Sequence, residues 1–207
     1  ASAGSGVRQV SSGEGTTTCA FIAPDNRSVI YASTHLQHET CPPKPDYSQG
    51  YVWPLHAAYD IFSAGPEGED PVRLTDSDGY DAEATVSPMG DRIVFTSMRD
   101  GDLDIYSMNL DGSDVVRLTD EIGYDGGPFY SPDGTKIVYR ARHPSDPTEI
   151  EDYQNLLAEG LIRPSKLEIF VMDADGSNKR QITDLGVASF APFFHPSGRK
   201  IIFSSNY

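Results

Sequence analysis

Apolar residues along this chain come in short bursts. Runs of four to seven β-branched, aromatic and aliphatic residues are divided by clusters of Pro, Asp, Asn, Gly and Ser, a pattern of strands and tight turns rather than of helices. Between residues 83 and 120 the bursts predict four strands, Ala84–Ser87, Arg92–Thr96, Asp104–Met108 and Val115–Leu118. Their composition suits a sheet covered on both faces. Pro88 and Pro132 preset φ for the turns, and Gly90 and Gly134 two residues later admit positive φ. Leu110-Asp111-Gly112-Ser113 and Ala174-Asp175-Gly176-Ser177 read as Asp-Gly hairpins between third and fourth strands.

The bursts recur in register. Ser131-Pro132-Asp133-Gly134 returns with drift as Ala23-Pro24-Asp25-Asn26, Ser87-Pro88-Met89-Gly90 and His195-Pro196-Ser197-Gly198. Asp60-Ile61-Phe62, Asp104-Ile105-Tyr106 and Glu168-Ile169-Phe170 form a second phrase, and Val72–Asp76, Val116–Asp120 and Arg180–Asp184 a third. The four prolines are spaced by 64, 44 and 64 residues, so the unit is 44 and two copies carry about 20 more. Four strands in 40–45 residues is the length of a propeller blade. The expected fold is all-β, a propeller of four-stranded antiparallel blades with two loops inserted on one face. Blades are expected at 18–76, 83–120 and 127–184, with an outer strand of a preceding blade at Val7–Ser11 and the first half of a further blade at 190–207. Closed propellers have four to eight blades, so the residues read as a segment of a larger ring. The alternative is a small ring closed by pairing Val7–Ser11 with the last half blade.

Charge narrows the partners. The chain has 16 basic and 31 acidic residues, a formal net charge of −15. That argues against nucleic acid and against insertion into an anionic membrane, both of which call for a basic surface. No run is apolar enough to span a bilayer.

In such a blade, the loop entering the first strand and the loop joining strands two and three share one face, here called the top. Cys19 opens a first strand and Cys41 lies in the first insertion, about His35–Ala58, so both fall near the top. We expect a Cys19–Cys41 disulfide, closing a loop of about 20 residues worth roughly 3 kcal/mol, and with it an oxidising compartment, periplasmic or extracellular. Two buried free thiols are the alternative. The first insertion also brings Tyr47, Tyr51, Trp53 and His56. The second, His143–Lys166, opens with Asp146-Pro147-Thr148-Glu149, spaces Tyr153, Leu156, Leu157 and Leu161 at helical intervals, and meets Gly160. It predicts a short amphipathic helix. Long loops on a rigid scaffold are favoured places for function, though both insertions also suit plain lids.

The segments entering the first strands, Gly79–Glu83 and Gly123–Gly127, are near copies. Asp81, Glu83 and Asp125 either crowd the channel mouth, where they would hold a divalent cation such as calcium or a basic peptide, or cap local turns. Asp100–Asp104 and Asp173–Ser177 look like calcium loops but lack the glutamate at position twelve. No metal site is expected, since His35, His38, His56 and His143 lack a carboxylate or cysteine at ligand spacing. There is no nucleophile elbow, zinc-peptidase motif or phosphate loop, so no catalytic residue is assigned and no cofactor is expected. Tyr51, Trp53, Tyr80 and Tyr124 are the expected aromatic contacts of a binding face, with Asp81, Glu83 and Asp125 as its charges.

Taken together, Ser-Pro-Asp-Gly-x-x-Ile-Val-Phe/Tyr, then Asp-Ile-Tyr-x-Met-Asn/Asp-x-Asp-Gly-Ser, then Arg-Leu-Thr resembles the TolB-type β-propeller repeat. Arg92–Phe95, Asp104–Ser113 and Arg117–Thr119 carry it in the middle unit, and Lys136–Tyr139 and Glu168–Thr183 in the third. The resemblance implies a six-bladed, non-enzymatic propeller in the bacterial envelope that binds a protein, for TolB a peptidoglycan-associated lipoprotein of the Tol–Pal system. It carries over no functional residue, because these are scaffold motifs. The expected function is a scaffold binding a protein or glycan of the periplasm or cell surface. Two alternatives are a propeller gating a hydrolase or peptidase encoded elsewhere, and a structural subunit that self-assembles through open blade edges.

Overall fold

The computed structural model describes residues 6–48 and 50–207. In chain order it has β1 (Thr17–Ile22), β2 (Val29–Ser33), β3 (Trp53–Pro54), β4 (Asp60–Ala64), β5 (Val72–Arg73), β6 (Asp81–Val86), β7 (Arg92–Ser97), β8 (Asp104–Asn109) and β9 (Val116–Arg117). After these come β10 (Tyr124–Tyr130), β11 (Lys136–Arg142), α1 (Pro147–Ala158), β12 (Leu161–Ile162), β13 (Glu168–Asp173), β14 (Arg180–Gln181), β15 (Ser189–Phe194) and β16 (Ile201–Ser205). Three four-stranded antiparallel sheets form in the orders β1-β2-β4-β5, β6-β7-β8-β9 and β10-β11-β13-β14, and β15-β16 is a hairpin. The fold is all-β and propeller-like, with one short helix. Val7–Ser11 run without strand pairing, but the Val10 carbonyl lies as close beneath Gly68 as the Leu74 carbonyl does beneath Gly112.

The repeated phrases are what hold each blade. Ile61, Ile105 and Ile169 donate their amides to the hydroxyls of Thr75, Thr119 and Thr183 at 2.8–2.9 Å. The acid before each isoleucine reaches the same neighbourhood. Asp60 pairs with Arg73 at 2.8 Å, Asp104 pairs with Arg117 at 2.5 Å, and Glu168 accepts from the Thr183 hydroxyl. These bonds fasten the short fourth strand to the third. Between blades the core is apolar. Ile61 and Leu74 meet Ile93 and Phe95, Ile105 and Leu118 meet Ile137 and Met172, and Val138 and Ile169 meet Phe194.

First strands stand side by side in the order β1, β6, β10, β15. Each breaks its ladder with a bulge at one repeat position, five residues before the proline. Cys19, Glu83, Gly127 and Ala191 occupy it with φ of 52°, 58°, 59° and 47°. A bulge adds a residue and re-aims side chains, and here it does so four times in step.

Candidate functional site

The four bulge residues converge on a cavity of about 230 Å³ that Arg140 also lines. Directly beside it, Trp53, Tyr59, Tyr80, Glu83 and Tyr124 enclose a second cavity of about 240 Å³ with Thr18 and Cys19. Glu83 and Cys19 belong to both, so the two are one recess along the first strands. Its far end is a third, apolar hollow of about 290 Å³, walled by Phe21, Phe129 and Phe193 with the four repeat prolines.

The two insertions roof this recess by pairing with each other. Trp53 and Pro54 of β3 face Ile162 and Leu161 of β12 in an antiparallel pair, and the Leu55 amide donates to the Gly160 carbonyl at 2.7 Å. The expected helix forms at Pro147–Ala158, with Asp146 accepting from the amides of Thr148 and Glu149. Leu161, expected on its apolar face, lies instead in β12. Tyr153 anchors the helix: its single hydroxyl proton is shared between Asp102 and the Gly123 carbonyl, both within hydrogen-bond reach. Beneath the roof Tyr153, Leu157 and Ile162 join Leu103 and Tyr124 in one apolar cluster, with Trp53 and Phe190 against it.

At the centre of the recess is a buried charge network. Glu83 pairs with Arg140 and accepts from the Gly127 amide at 2.8 Å and the Thr96 hydroxyl at 3.0 Å. Arg140 lies over the rings of Trp53 and Tyr124 at 5.6 and 5.5 Å, within cation–π reach. Burial opposes the charge of Arg140, but Glu83 outweighs it and holds the guanidinium above its usual range. Burial also pushes the Tyr80 and Tyr124 phenols up.

Trp53, Tyr80, Glu83 and Tyr124 therefore meet in one recess. Tyr51 is exposed at its rim, stacked on Tyr47 at 6.1 Å, and accepts the Trp53 indole N–H at 3.0 Å. Asp81 and Asp125 do not join them. Both are fully buried, Asp81 against Arg99 at 3.2 Å and Asp125 against His143 at 3.0 Å. The three carboxylates Asp81, Glu83 and Asp125 thus each face a different side chain, Arg99, Arg140 and His143. Among the described residues no three His, Cys, Asp or Glu side chains are gathered as metal ligands, and no helix is long and apolar enough to cross a membrane.

The expected Cys19–Cys41 disulfide is not formed. Both thiols are free. The bulge turns Cys19 into the recess, whereas the Cys41 thiol donates to the Gly15 carbonyl at 3.4 Å. Cys19 keeps exposed surface, but partial desolvation of its thiol within the recess and the charge of Glu83 push the thiol up.

One residue that sequence reasoning missed is central here. Arg140 occupies the repeat position of Ala32, Thr96 and Ser204, so it breaks its repeat, and that departure was the available signal. His143, weighed in the sequence only as a metal ligand, shares its repeat position with His35 and Arg99 and pairs instead with Asp125.

The family model for the TolB beta propeller domain matches residues 54–153. The fold of the chain is that of a TolB-like β-propeller. Among solved structures it is similar to a TolB candidate from Agrobacterium tumefaciens, at 24% identity and a TM-score of 0.60, covering 84% of this chain and 51% of that one. It is similar to TolB from Acinetobacter baumannii at 18% identity and a TM-score of 0.65, covering 91% and 37%. A puromycin hydrolase shares the fold at 10% identity and a TM-score of 0.54, covering 85% and 23%. The chain spans about half, or less, of the length of each of these structures. No curated protein matches it.

Proposed function

We propose that this TolB-like propeller is a non-enzymatic binding scaffold of the bacterial envelope, and that its roofed recess receives a segment of a protein partner. One observation carries the reading: Trp53, Tyr80 and Tyr124 line a single recess around Glu83, with Tyr51 at the rim. Flat aromatic walls with few, fixed polar groups are how proteins hold a ligand at low entropic cost. The titratable groups support binding over catalysis. Within the recess Glu83 is held by Arg140, and its buried neighbours Asp81 and Asp125 are turned to Arg99 and His143.

The test is a selection of displayed peptides against the chain, followed by titration of the retained peptide with Trp53 emission as the readout. Tyr80→Ala and Tyr51→Ala are expected to weaken retained peptides at least tenfold. Peptides held equally well by both variants would remove the recess as the binding site.

A further inference from the structure

We propose that His143 is a pH-operated latch on the roof of the recess, holding the second insertion down in acid and releasing it as pH rises. This inference concerns regulation of the site described above and rests on that reading only for its functional meaning.

Position comes first. His143 is the residue at which the second insertion leaves its blade: it follows β11 directly, and three residues later Asp146 caps α1. In the preceding blade the same repeat position is Arg99, which pairs with Asp81, itself the counterpart of Asp125. One blade closes this contact with a permanent cation, and the blade bearing the roof closes it with the side chain that titrates near neutrality.

The surroundings of the ring make its proton matter. Nε2 lies 3.0 Å from Asp125 Oδ1, and Nδ1 lies 3.4 Å from Glu121 Oε2. An imidazolium carries two N–H donors and serves both carboxylates; a neutral ring carries one and serves a single carboxylate. Asp125 is fully buried, and its Oδ2 has no hydrogen-bond partner among the described residues. Burial pushes Asp125 up, and the bond to the ring, ahead of a weaker one from Thr119, is what chiefly favours its charge; breaking one half of a buried pair is costly. Burial opposes the charge of His143, but the bond to Asp125 and the charges of Asp125, Glu121 and Asp102 outweigh it and hold the ring above its ordinary value.

Glu149 and Glu168, which line the same cavity as the ring, have partners of their own. Glu149 of α1 pairs with Arg142 at 3.2 Å and Lys166 at 2.8 Å. Glu168 of β13 accepts from the Thr183 hydroxyl and the amides of Leu185 and Gly186. Phe170 packs edge-on against the ring at 5.4 Å.

The link to the roof is direct. His143 grips both ends of the segment Glu121–Asp125, and Gly123, in its middle, is the seat of the Tyr153 hydroxyl. Gly123 also donates its amide to Asp102, the second acceptor of Tyr153. Loss of the ring proton frees Glu121 and leaves Asp125 uncompensated, which loosens the seat of α1. The insertion is then held chiefly by the two-residue pair of β12 with β3, which contains Trp53.

Trp53 is the only tryptophan in the chain, so its emission reports the roof without a label. The experiment follows Trp53 emission of the peptide-free chain from pH 5 to 9. The expected result is one transition with its midpoint above about 6.5, the ordinary histidine value. His143→Arg, copying the preceding blade, is expected to keep the acid-side emission throughout; His143→Gln is expected to show the alkaline-side emission throughout. His56→Gln serves as control, since His56 lies in the first insertion and burial pushes it below its ordinary value; the transition is expected to survive there. Should either His143 variant fold poorly, the ring proton of the unaltered chain is titrated by NMR, and a midpoint differing from that of the emission change overturns the latch. Pale or absent pH dependence in the unaltered chain, or an unchanged transition in His143→Arg, also overturns it. Failure here, with Tyr80→Ala still weakening peptide binding, removes the latch and leaves the binding recess; equal binding by Tyr80→Ala removes the recess whatever the latch does.

Discussion

Asp104 shows how a scaffold residue acquires a pH dependence. Burial pushes it up to about 6, against the pull of the Arg117 guanidinium and the Thr119 hydroxyl. The unfolded value is about 3.9, so the folded chain binds this proton more tightly than the unfolded chain does. Stability from the group is therefore present in full below about pH 4 and is lost as pH rises through about 6, by roughly 3 kcal/mol in total. Asp104→Asn cannot ionise and escapes that loss. Its melting temperature relative to the unaltered chain is expected to rise between pH 4 and pH 7; an offset that stays constant over that range would contradict the burial effect. At this scale the sequence was legible where residues repeat. Asp60, Asp104 and Glu168 aligned as one phrase, and the structure gives all three the same latching role. It was least legible where a residue breaks the repeat, as Arg140 does, because the partner of an odd residue lies on another strand or loop. Position on the top face likewise said nothing of where the Cys19 and Cys41 thiols point.

Among elements, the roof depends on how α1 begins. The Asp146 carboxylate accepts from the amides of Thr148 at 2.9 Å and Glu149 at 3.3 Å, and Pro147 supplies a preset φ at the first helical position. Asp146→Ala removes the acceptor and is expected to cost about 1 kcal/mol of helix stability. In hydrogen exchange the amides of α1 and β12 are expected to lose protection severalfold, while those of β6–β8 keep theirs; unchanged protection in α1 would mean that Tyr153 and Leu157 alone hold the helix. The start of α1 and its stop at Gly160 were readable because capping chemistry is local. β3 and β12 were not. Each is two residues long, too short for any periodicity, and they pair across more than 100 residues of chain.

At the scale of the whole molecule, contacts between blades run between neighbours: β1 with β6, β6 with β10, and β10 with β15. Such a chain approximates a stack of units with nearest-neighbour coupling, whose unfolding spreads unit by unit. The roof adds a different kind of link. Through β3 and β12 it joins the first blade to the third across the second, and through Trp53, 5.6 Å from Phe190, it also touches the last hairpin. A strap across non-neighbours makes the loss of one blade felt by the others, so it contributes cooperativity as well as stability. Ile162 is the residue to remove: it is about 1% exposed and pairs with Trp53. Ile162→Ala is expected to cost about 2–5 kcal/mol, as for other buried isoleucines. Ile105→Ala, in the core between the second and third blades, falls in the same range but leaves the strap whole. In urea, Ile105→Ala is expected to move the midpoint with the slope retained, whereas Ile162→Ala is expected to lower the slope or divide the transition, because the slope follows the surface exposed in one cooperative step. Equal slopes for the two variants would mean that neighbour contacts alone carry the cooperativity, and that the roof matters to the recess and not to the folding of the propeller.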